Sequence, residues 1–209
     1  MHYEILDNKR QEILPSLAFL KEKFYLAGGT ALSLQFGHRK SEDFDFFTRE
    51  KFDEQRLLLQ LKEIFGNRFV EILQQEWQTV DLAVDGIKIS FFYLPYPLLE
   101  NTIDDANLRL ASVLDIGCMK LNAITGRSVN KDFVDLYYIF KQISLPDLLA
   151  KAKQKMPELN ENVVLKSLVY FDELQTEPLE FLPGKEVNME EIKKFMVAEV
   201  KNMFPHLIS

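Results

Sequence analysis

Two adjacent glycines that close a short apolar run, followed by two aspartates framed in phenylalanine, limit what this chain can fold into. Phe24-Tyr25-Leu26-Ala27 ends at Gly28-Gly29, and thirteen residues separate Gly29 from Asp43-Phe44-Asp45. A short apolar run ended by glycines reads as a buried strand turning into a helix, here expected over Thr30 to Phe36. Glycine permits the tight turn and lets a ligand come close to the backbone N–H groups. The free N–H groups and positive dipole end of the helix then favour an anion, most often phosphate. Asp43 and Asp45 are spaced i, i+2, so in a strand they share a face while Phe44 and Phe46 pack behind. Side by side in an apolar setting, two carboxylates repel each other and resist desolvation. A divalent cation compensates both. Mg²⁺, which takes one or two carboxylates, waters and substrate phosphates, suits the pair. A D-x-D is more commonly two solvated surface acids; the aromatic frame and the nearby glycine turn favour the site.

The string GGTALSLQFGHRKSEDFDFF resembles the signature of the DNA polymerase β-type nucleotidyltransferases. Within them it is most similar to the AbiEii/AbiGii-type nucleotidyltransferases of bacterial type IV toxin–antitoxin and phage-abortive-infection systems. A second block, SVLDIGCMKLNAITGRSVNKDFVDLYYIF, carries the same resemblance. Its residues read as two helices joined by a short loop, with Gly126 ending the first and Asn130 capping the second. Ser112 is a fair N-cap, and Asp115 at the third helical position makes a capping-box-like start. Asp132 and Asp135 stand at i, i+3 and share a face. Among Phe133, Tyr137, Tyr138 and Phe140, these charges suggest a buried polar network. The block is similar to the family's Asp-x4-Lys on one helix and Arg-x3-Lys-Asp-x2-Asp on the next. Here these are Asp115 with Lys120, then Arg127, Lys131, Asp132 and Asp135.

The resemblance implies an α+β fold. A polymerase β-like nucleotidyltransferase domain with a mixed sheet would occupy residues 1–100. A helical domain contributing to the active-site cleft would occupy 101–209. It implies Asp43 and Asp45 as catalytic metal ligands for Mg²⁺ or Mn²⁺, and Gly28, Gly29 and Thr30 as the turn holding the nucleotide phosphates. Lys120 would bind phosphate and assist catalysis, and Asp132 and Asp135 would serve as further catalytic or structural acids. Arg39, Ser41 and Arg127 join the nucleotide site on the same reading. By simple ion pairing, Arg127, Asp132 and Asp135 would instead clip the helical hairpin together. In the superfamily a third carboxylate comes from a strand after the D-x-D. Here the corresponding position, near Lys88, is Ser90, and the nearest acid is Asp81, because Asp85 is used by a turn. The implied activity is transfer of a nucleoside monophosphate from an NTP to an RNA such as tRNA, or to a protein, by a toxin with a cognate antitoxin. The alternatives are a small-molecule or protein-AMPylating nucleotidyltransferase and a catalytically degenerate nucleotide-binding regulator.

The rest of the chain is consistent with that frame. Its 47% hydrophobic and 27% charged residues are ordinary for a soluble globular protein. With 32 acidic against 25 basic residues and a net charge of −7, broad non-specific nucleic-acid binding is disfavoured, while a local basic patch such as Arg39-Lys40 is not. The single cysteine, Cys118, excludes an intrachain disulfide and suits a reducing compartment. No apolar stretch follows the polar start, and none approaches a membrane span, so a cytoplasmic protein without a membrane partner is expected. His38 has no catalytic role, since this kind of transfer needs no histidine.

Hydrophobic spacing predicts a helix from Asn8 to Lys23 through Ile13, Leu14, Leu17 and Leu20, with Pro15 as a break or a start. Another is expected from Phe52 to Phe65 through Leu58, Leu61, Ile64 and Phe65, closed by Gly66. Strands are expected over Arg68–Trp77, Gln78–Val84 and Gly86–Tyr93, with Asp85-Gly86 as a hairpin turn. Pro95 and Pro97 mark a break, and the domain boundary is placed between 95 and 110. From Leu145 onward the pattern is of amphipathic helices broken at Pro157, Pro178, Pro183-Gly184 and Pro205, read as packing without chemistry.

Overall fold

Alternation along Phe44-Asp45-Phe46-Phe47-Thr48 decides which way the central sheet faces, because Phe44, Phe46 and Thr48 are buried and the residues between them are half-buried. The computed structural model describes residues 1–203, so Pro205 lies outside the described residues. The chain divides into two compact units, Met1–Ser112 and Val113–Ser209.

The first unit is built on a mixed sheet of seven strands. They are β1 (Tyr25–Ala27), β2 (Phe44–Thr48), β3 (Val70–Glu76), β4 (Thr79–Val84), β5 (Ile87–Tyr93), β6 (Ile103–Asp104) and β7 (Arg109–Leu110). Their order across the sheet is β3-β4-β5-β2-β1-β7-β6. β2 runs antiparallel to β1 and parallel to β5, and β4 runs antiparallel to β3 and β5. Residues 101–112, placed with the helices on sequence grounds, include the two short strands at this sheet's edge, where Leu110 pairs with Leu26. Cross-strand register puts Phe44, Phe46, Ile89, Phe91, Val80 and Leu82 on one face, all buried. Phe46 and Phe91 stack there with ring centroids 5.5 Å apart. The opposite face carries Asp45, Ser90 and Asp81.

Three helices belong to this unit. α1 (Asn8–Leu17) is capped by Asp7, which accepts from the Arg10 N–H. Pro15 lies inside α1 rather than starting it, and the helical stretch ends sooner than its apolar spacing predicts. Proline has no N–H to give to the preceding turn, and the chain tightens into a 3-10 turn over Ala18–Glu22. α2 (Gly28–Phe36) begins at Gly28, two residues earlier than expected, and Gly37 ends it in the left-handed conformation. α3 (Glu54–Phe65) buries Leu57, Leu58, Leu61 and Phe65. Ile64, counted as core from its spacing, is 40% exposed; Leu57 takes its place in the buried stripe. Gln78, at the β3–β4 turn, ties that hairpin to the start of α3. Its amide accepts from the Phe52 N–H at 2.9 Å and donates to the Phe52 carbonyl at 2.7 Å.

The second unit is helical: α4 (Val113–Ala123), α5 (Asn130–Phe140), α6 (Leu145–Lys155), α7 (Glu161–Val169) and α8 (Met189–Met203). Asn130 does not cap α5. Val129 occupies the N-cap position, and Asn130 is the first helical residue. Its amide instead holds the later segment, donating to the Glu177 carbonyl at 2.8 Å and accepting from the Glu177 N–H at 3.1 Å. Tyr137 packs edge-on to Phe195 and donates its hydroxyl to Glu191 at 2.5 Å, joining α5 to α8. Among the described residues no helix is long and apolar enough to cross a membrane.

Candidate functional site

The glycine turn and Asp45 are brought together by strand pairing. Ala27, the last residue of β1, stands opposite Asp45 in the antiparallel register. Gly28 follows with φ +68°, and a Cβ built on it would lie 2.7 Å from Asp45 Oδ2. A side chain at this position is therefore opposed twice, by the left-handed backbone and by the carboxylate. Gly29 is enclosed on its own side, where a Cβ would lie 2.5 Å from Arg39 Nη2 and 3.2 Å from Ser41 Oγ. No side chain caps the N-terminus of α2, so its positive end is presented to this small basin. Gly28→Ala should destabilise the first unit by about 1–2 kcal/mol from backbone strain alone and displace Asp45. Thermal unfolding and transfer activity measured together will show both losses, with activity falling further than stability explains.

Asp43 and Asp45 were expected on one strand. The structure starts β2 at Phe44, so Asp43 sits just before the strand and is exposed, while Asp45 is half-buried within it. Thr30 accounts for the departure. Its hydroxyl donates to the Asp43 carbonyl, which holds that residue out of the ladder. Thr30 Oγ1 also lies 2.8 Å from Ser41 Oγ. A hydroxyl has one proton to give, and with it committed to the carbonyl, Thr30 accepts from Ser41. Thr30 is buried. Its side chain thus latches the aspartate loop onto the helix start, and its contribution to an anion site is the backbone N–H. Arg39, also buried, crosses behind Gly29 and donates to the Lys40 carbonyl at 3.0 Å.

Asp45 faces Ser90 on β5, and Ser90 faces Asp81 on β4, so the three form one row across adjacent strands. Asp81 Oδ2 lies 3.6 Å from Lys88 Nζ. Among the described residues no group of three or more His, Cys, Asp and Glu side chains is placed to hold a metal ion together.

In the second unit Lys120, Asp132 and Asp135 form a buried network, with the exposed Arg127 at its edge. Lys120 Nζ lies 2.7 Å from Asp132 Oδ1 and 2.6 Å from Asp135 Oδ2. Arg127 approaches Asp132 with Nε at 2.7 Å and Nη2 at 3.0 Å, a fork that matches the carboxylate. Burial pushes the Asp132 carboxyl upward, but Lys120 and Arg127 outweigh it and hold the group below the usual aspartate value. A carboxyl depressed in the folded state stabilises the protein above its unfolded pKa, and that contribution is lost as pH falls through the folded one. Acid titration followed by near-UV circular dichroism should show tertiary loss only below the ordinary aspartate range, and Arg127→Ala should move it to higher pH.

One functional-looking pairing escaped the sequence reading. Asp115, read as a helix-start acid and as the Asp of the family's second block, is fully buried, and Lys155 of α6, which was not singled out, donates to it at 2.7 Å with neither side chain exposed to solvent. Lys155 lies in the segment read as packing without chemistry. Its fourfold helical spacing after Lys151 looks like any solvated lysine, and no local signal marks it. Cys118, one turn from Asp115 and buried, has its thiol pushed up to about 12 by loss of solvent, so it is not a reactive cysteine.

The family model of the nucleotidyl transferase AbiEii toxin, type IV TA system, matches residues 13–206. An uncharacterized protein of Aquifex aeolicus (strain VF5) is 39% identical over 184 residues, covering 85% of this chain and 86% of that protein. Solved structures of other proteins share the fold. JHP933 from Helicobacter pylori has a TM-score of 0.56 and 22% identity, covering 99% of this chain and 91% of its own. MenT4, nucleotidyltransferase toxin Rv2826c from Mycobacterium tuberculosis H37Rv, has a TM-score of 0.62 and 13% identity, covering 93% and 82%. With a family match over nearly its whole length, carrying both the glycine turn and the aspartate pair, the chain belongs to the AbiEii nucleotidyltransferase toxin family.

Proposed function

We propose that this nucleotidyltransferase moves a nucleoside monophosphate from an NTP to a hydroxyl of a macromolecular acceptor, an RNA such as tRNA or a protein, as the toxin of a type IV toxin–antitoxin pair. The observation that carries the reading is the contact of Asp45 Oδ2 with the space over Gly28. It places a carboxylate at the mouth of an uncapped helix N-terminus. Triphosphate oxygens suit the helix end, and a cation suits the carboxylate beside them.

Asp43 and Asp45 fit Mg²⁺ or Mn²⁺ by donor chemistry: two carboxylates, one exposed to solvent and one half-buried, the hard oxygen donors such ions take together with waters and phosphate oxygens. When bound, such ions activate an acceptor hydroxyl and stabilise the departing pyrophosphate. The chain's own residues do the rest. The N–H groups at the start of α2 orient the phosphates, and the buried Arg39 adds fixed positive charge behind Gly29. Thr30 and Ser41 keep the aspartate loop in one conformation, so little reorganisation is needed as charge develops. Lys120, Asp132 and Asp135 join the proposal as contributors to transfer, Lys120 through its charge and the two acids through the orientation they impose on it.

Incubation with each α-labelled NTP, Mg²⁺ or Mn²⁺, total RNA and cell protein tests the proposal. Label should enter RNA or protein with the wild type and not with Asp43→Ala/Asp45→Ala. Label in neither pool, with NTP binding intact, would favour a small-molecule acceptor or a nucleotide-binding regulator. Co-expression with the product of a neighbouring gene should relieve growth arrest if the chain is a toxin with a cognate antitoxin.

A further inference from the structure

Two buried polar atoms in the cross-strand row of Asp45 have no hydrogen-bond partner among the described residues: Ser90 Oγ and Asp81 Oδ1. Ser90 is 1% exposed and Asp81 9%. Leaving such atoms unsatisfied is costly, and in native proteins they usually mark a bound water, an ion or a working group. Both belong to the row that starts at Asp45, which pairs with Ser90, which pairs with Asp81. Residues directly opposite across neighbouring strands point to the same face. All three therefore project from the face opposite Phe46 and Phe91, the one that carries the aspartate at the glycine turn.

The spacing decides what they can do. Adjacent strands stand about 4.8 Å apart, so Asp81 is about 10 Å from Asp45 at the backbone. Mg²⁺ binds oxygen at about 2.1 Å, which puts a cation on Asp45 beyond the direct reach of Asp81. A water on that cation is within reach, since a coordinated water extends the shell by one further hydrogen bond. Mg²⁺ gives up its waters reluctantly, and polarised waters need acceptors. Asp81 Oδ1 is an acceptor, and Ser90 Oγ, lying between, can accept from one water and donate to the next. Lys88, 3.6 Å from Asp81 Oδ2, engages the other oxygen and leaves Oδ1 for the row.

We propose that Ser90 and Asp81 form an outer layer of the cation site, binding the water shell of a divalent ion held by Asp43 and Asp45. This rests on the cation role given to those two aspartates above. Asp81 is a positioning residue on this view, and its carboxylate tunes the ion without touching it. Partners of this outer kind are typically worth about ten- to a hundredfold in metal affinity.

Mn²⁺ binding to the full chain, followed by loss of the free-ion electron paramagnetic resonance signal and without nucleotide, tests the proposal. Asp81→Asn keeps the shape and removes the charge; Ser90→Ala removes the relay. Each should weaken Mn²⁺ by about ten- to a hundredfold, and the double variant should be little worse than either, because they act on shared water. Moving the carboxylate one strand closer, as Ser90→Asp/Asp81→Ser, should restore affinity. Lys88→Ala should leave affinity intact or raised; a loss equal to that of Asp81→Asn would show that Asp81 acts only through strand packing and would overturn the proposal. Wild-type affinity in folded Asp81→Asn and Ser90→Ala, with binding abolished by Asp43→Ala, would overturn it while sparing the role of the aspartate pair. Equal Mn²⁺ binding by wild type and Asp43→Ala would overturn both.

Discussion

Asp45→Asn should reduce nucleotidyl transfer by about 10²- to 10³-fold or more while leaving the thermal midpoint close to that of the wild type. The size follows from what is removed. Preorganised charge at a reacting centre is worth on the order of 2.7–4 kcal/mol for a single group, and this carboxylate is also a proposed ligand of the ion. Stability is spared because Asp45 is half-buried on the face of β2 opposite its apolar side, which is held by Phe44 and Phe46. The isosteric amide keeps the approach to Gly28. Asp43→Asn should cost a comparable factor with even less effect on folding, since Asp43 is exposed and its carbonyl, not its carboxylate, is what Thr30 holds. Initial rates with labelled NTP beside a thermal melt give both quantities. A loss of activity that merely tracks a fall in midpoint would mean that these carboxylates are structural.

The second large effect is expected within the helical unit, at Asp115 and Lys155. Both are fully buried, with a 2.7 Å contact between α4 and α6. Removing one partner leaves a charge in the apolar interior, and breaking such a pair costs about 3–5 kcal/mol. Lys155→Met should therefore lower chemical-denaturation stability by that amount, as should Asp115→Leu. The double variant should recover the whole loss and equal or exceed the wild type, because an apolar pair of similar volume avoids desolvating two ions. Denaturant titrations of the four proteins form a complete cycle. If the double variant is as unstable as the singles, the pair contributes through more than its own charges, and the hydrogen bonds around it would be the next place to look. The same logic applies less strongly to Lys120, whose network keeps the half-exposed Arg127, so that water can compensate part of any loss.

Much of this molecule is local in origin and so legible from its sequence. The turn from β1 into α2 needs two glycines in succession, and the alternation of Phe44 to Thr48 names the buried face without any knowledge of partners. Asp85 and Gly86 turn the β4–β5 hairpin with φ of +50° and +83°, as that dipeptide predicts. The α+β class and the family follow from two strings that stand as continuous stretches of the chain. Fine placement did not follow. Asp43 left its strand because a threonine thirteen residues earlier holds its carbonyl. Asn130 turned from a helix cap to a clamp on a segment forty-seven residues away.

What only the tertiary structure decided is which distant residues share a face or a cavity. Ser90 and Asp81 join the row of Asp45 because β2 pairs in parallel with β5 and β5 antiparallel with β4, and a slip of one residue in either pairing would send them to the opposite side. Lys155 meets Asp115 across forty positions of chain, and nothing in the amphipathic pattern of α6 distinguishes it from a solvated lysine. Sequence periodicity reports which side of an element is apolar. It carries no information about what lies on the other element when the two meet, and burial of a charge depends on that alone.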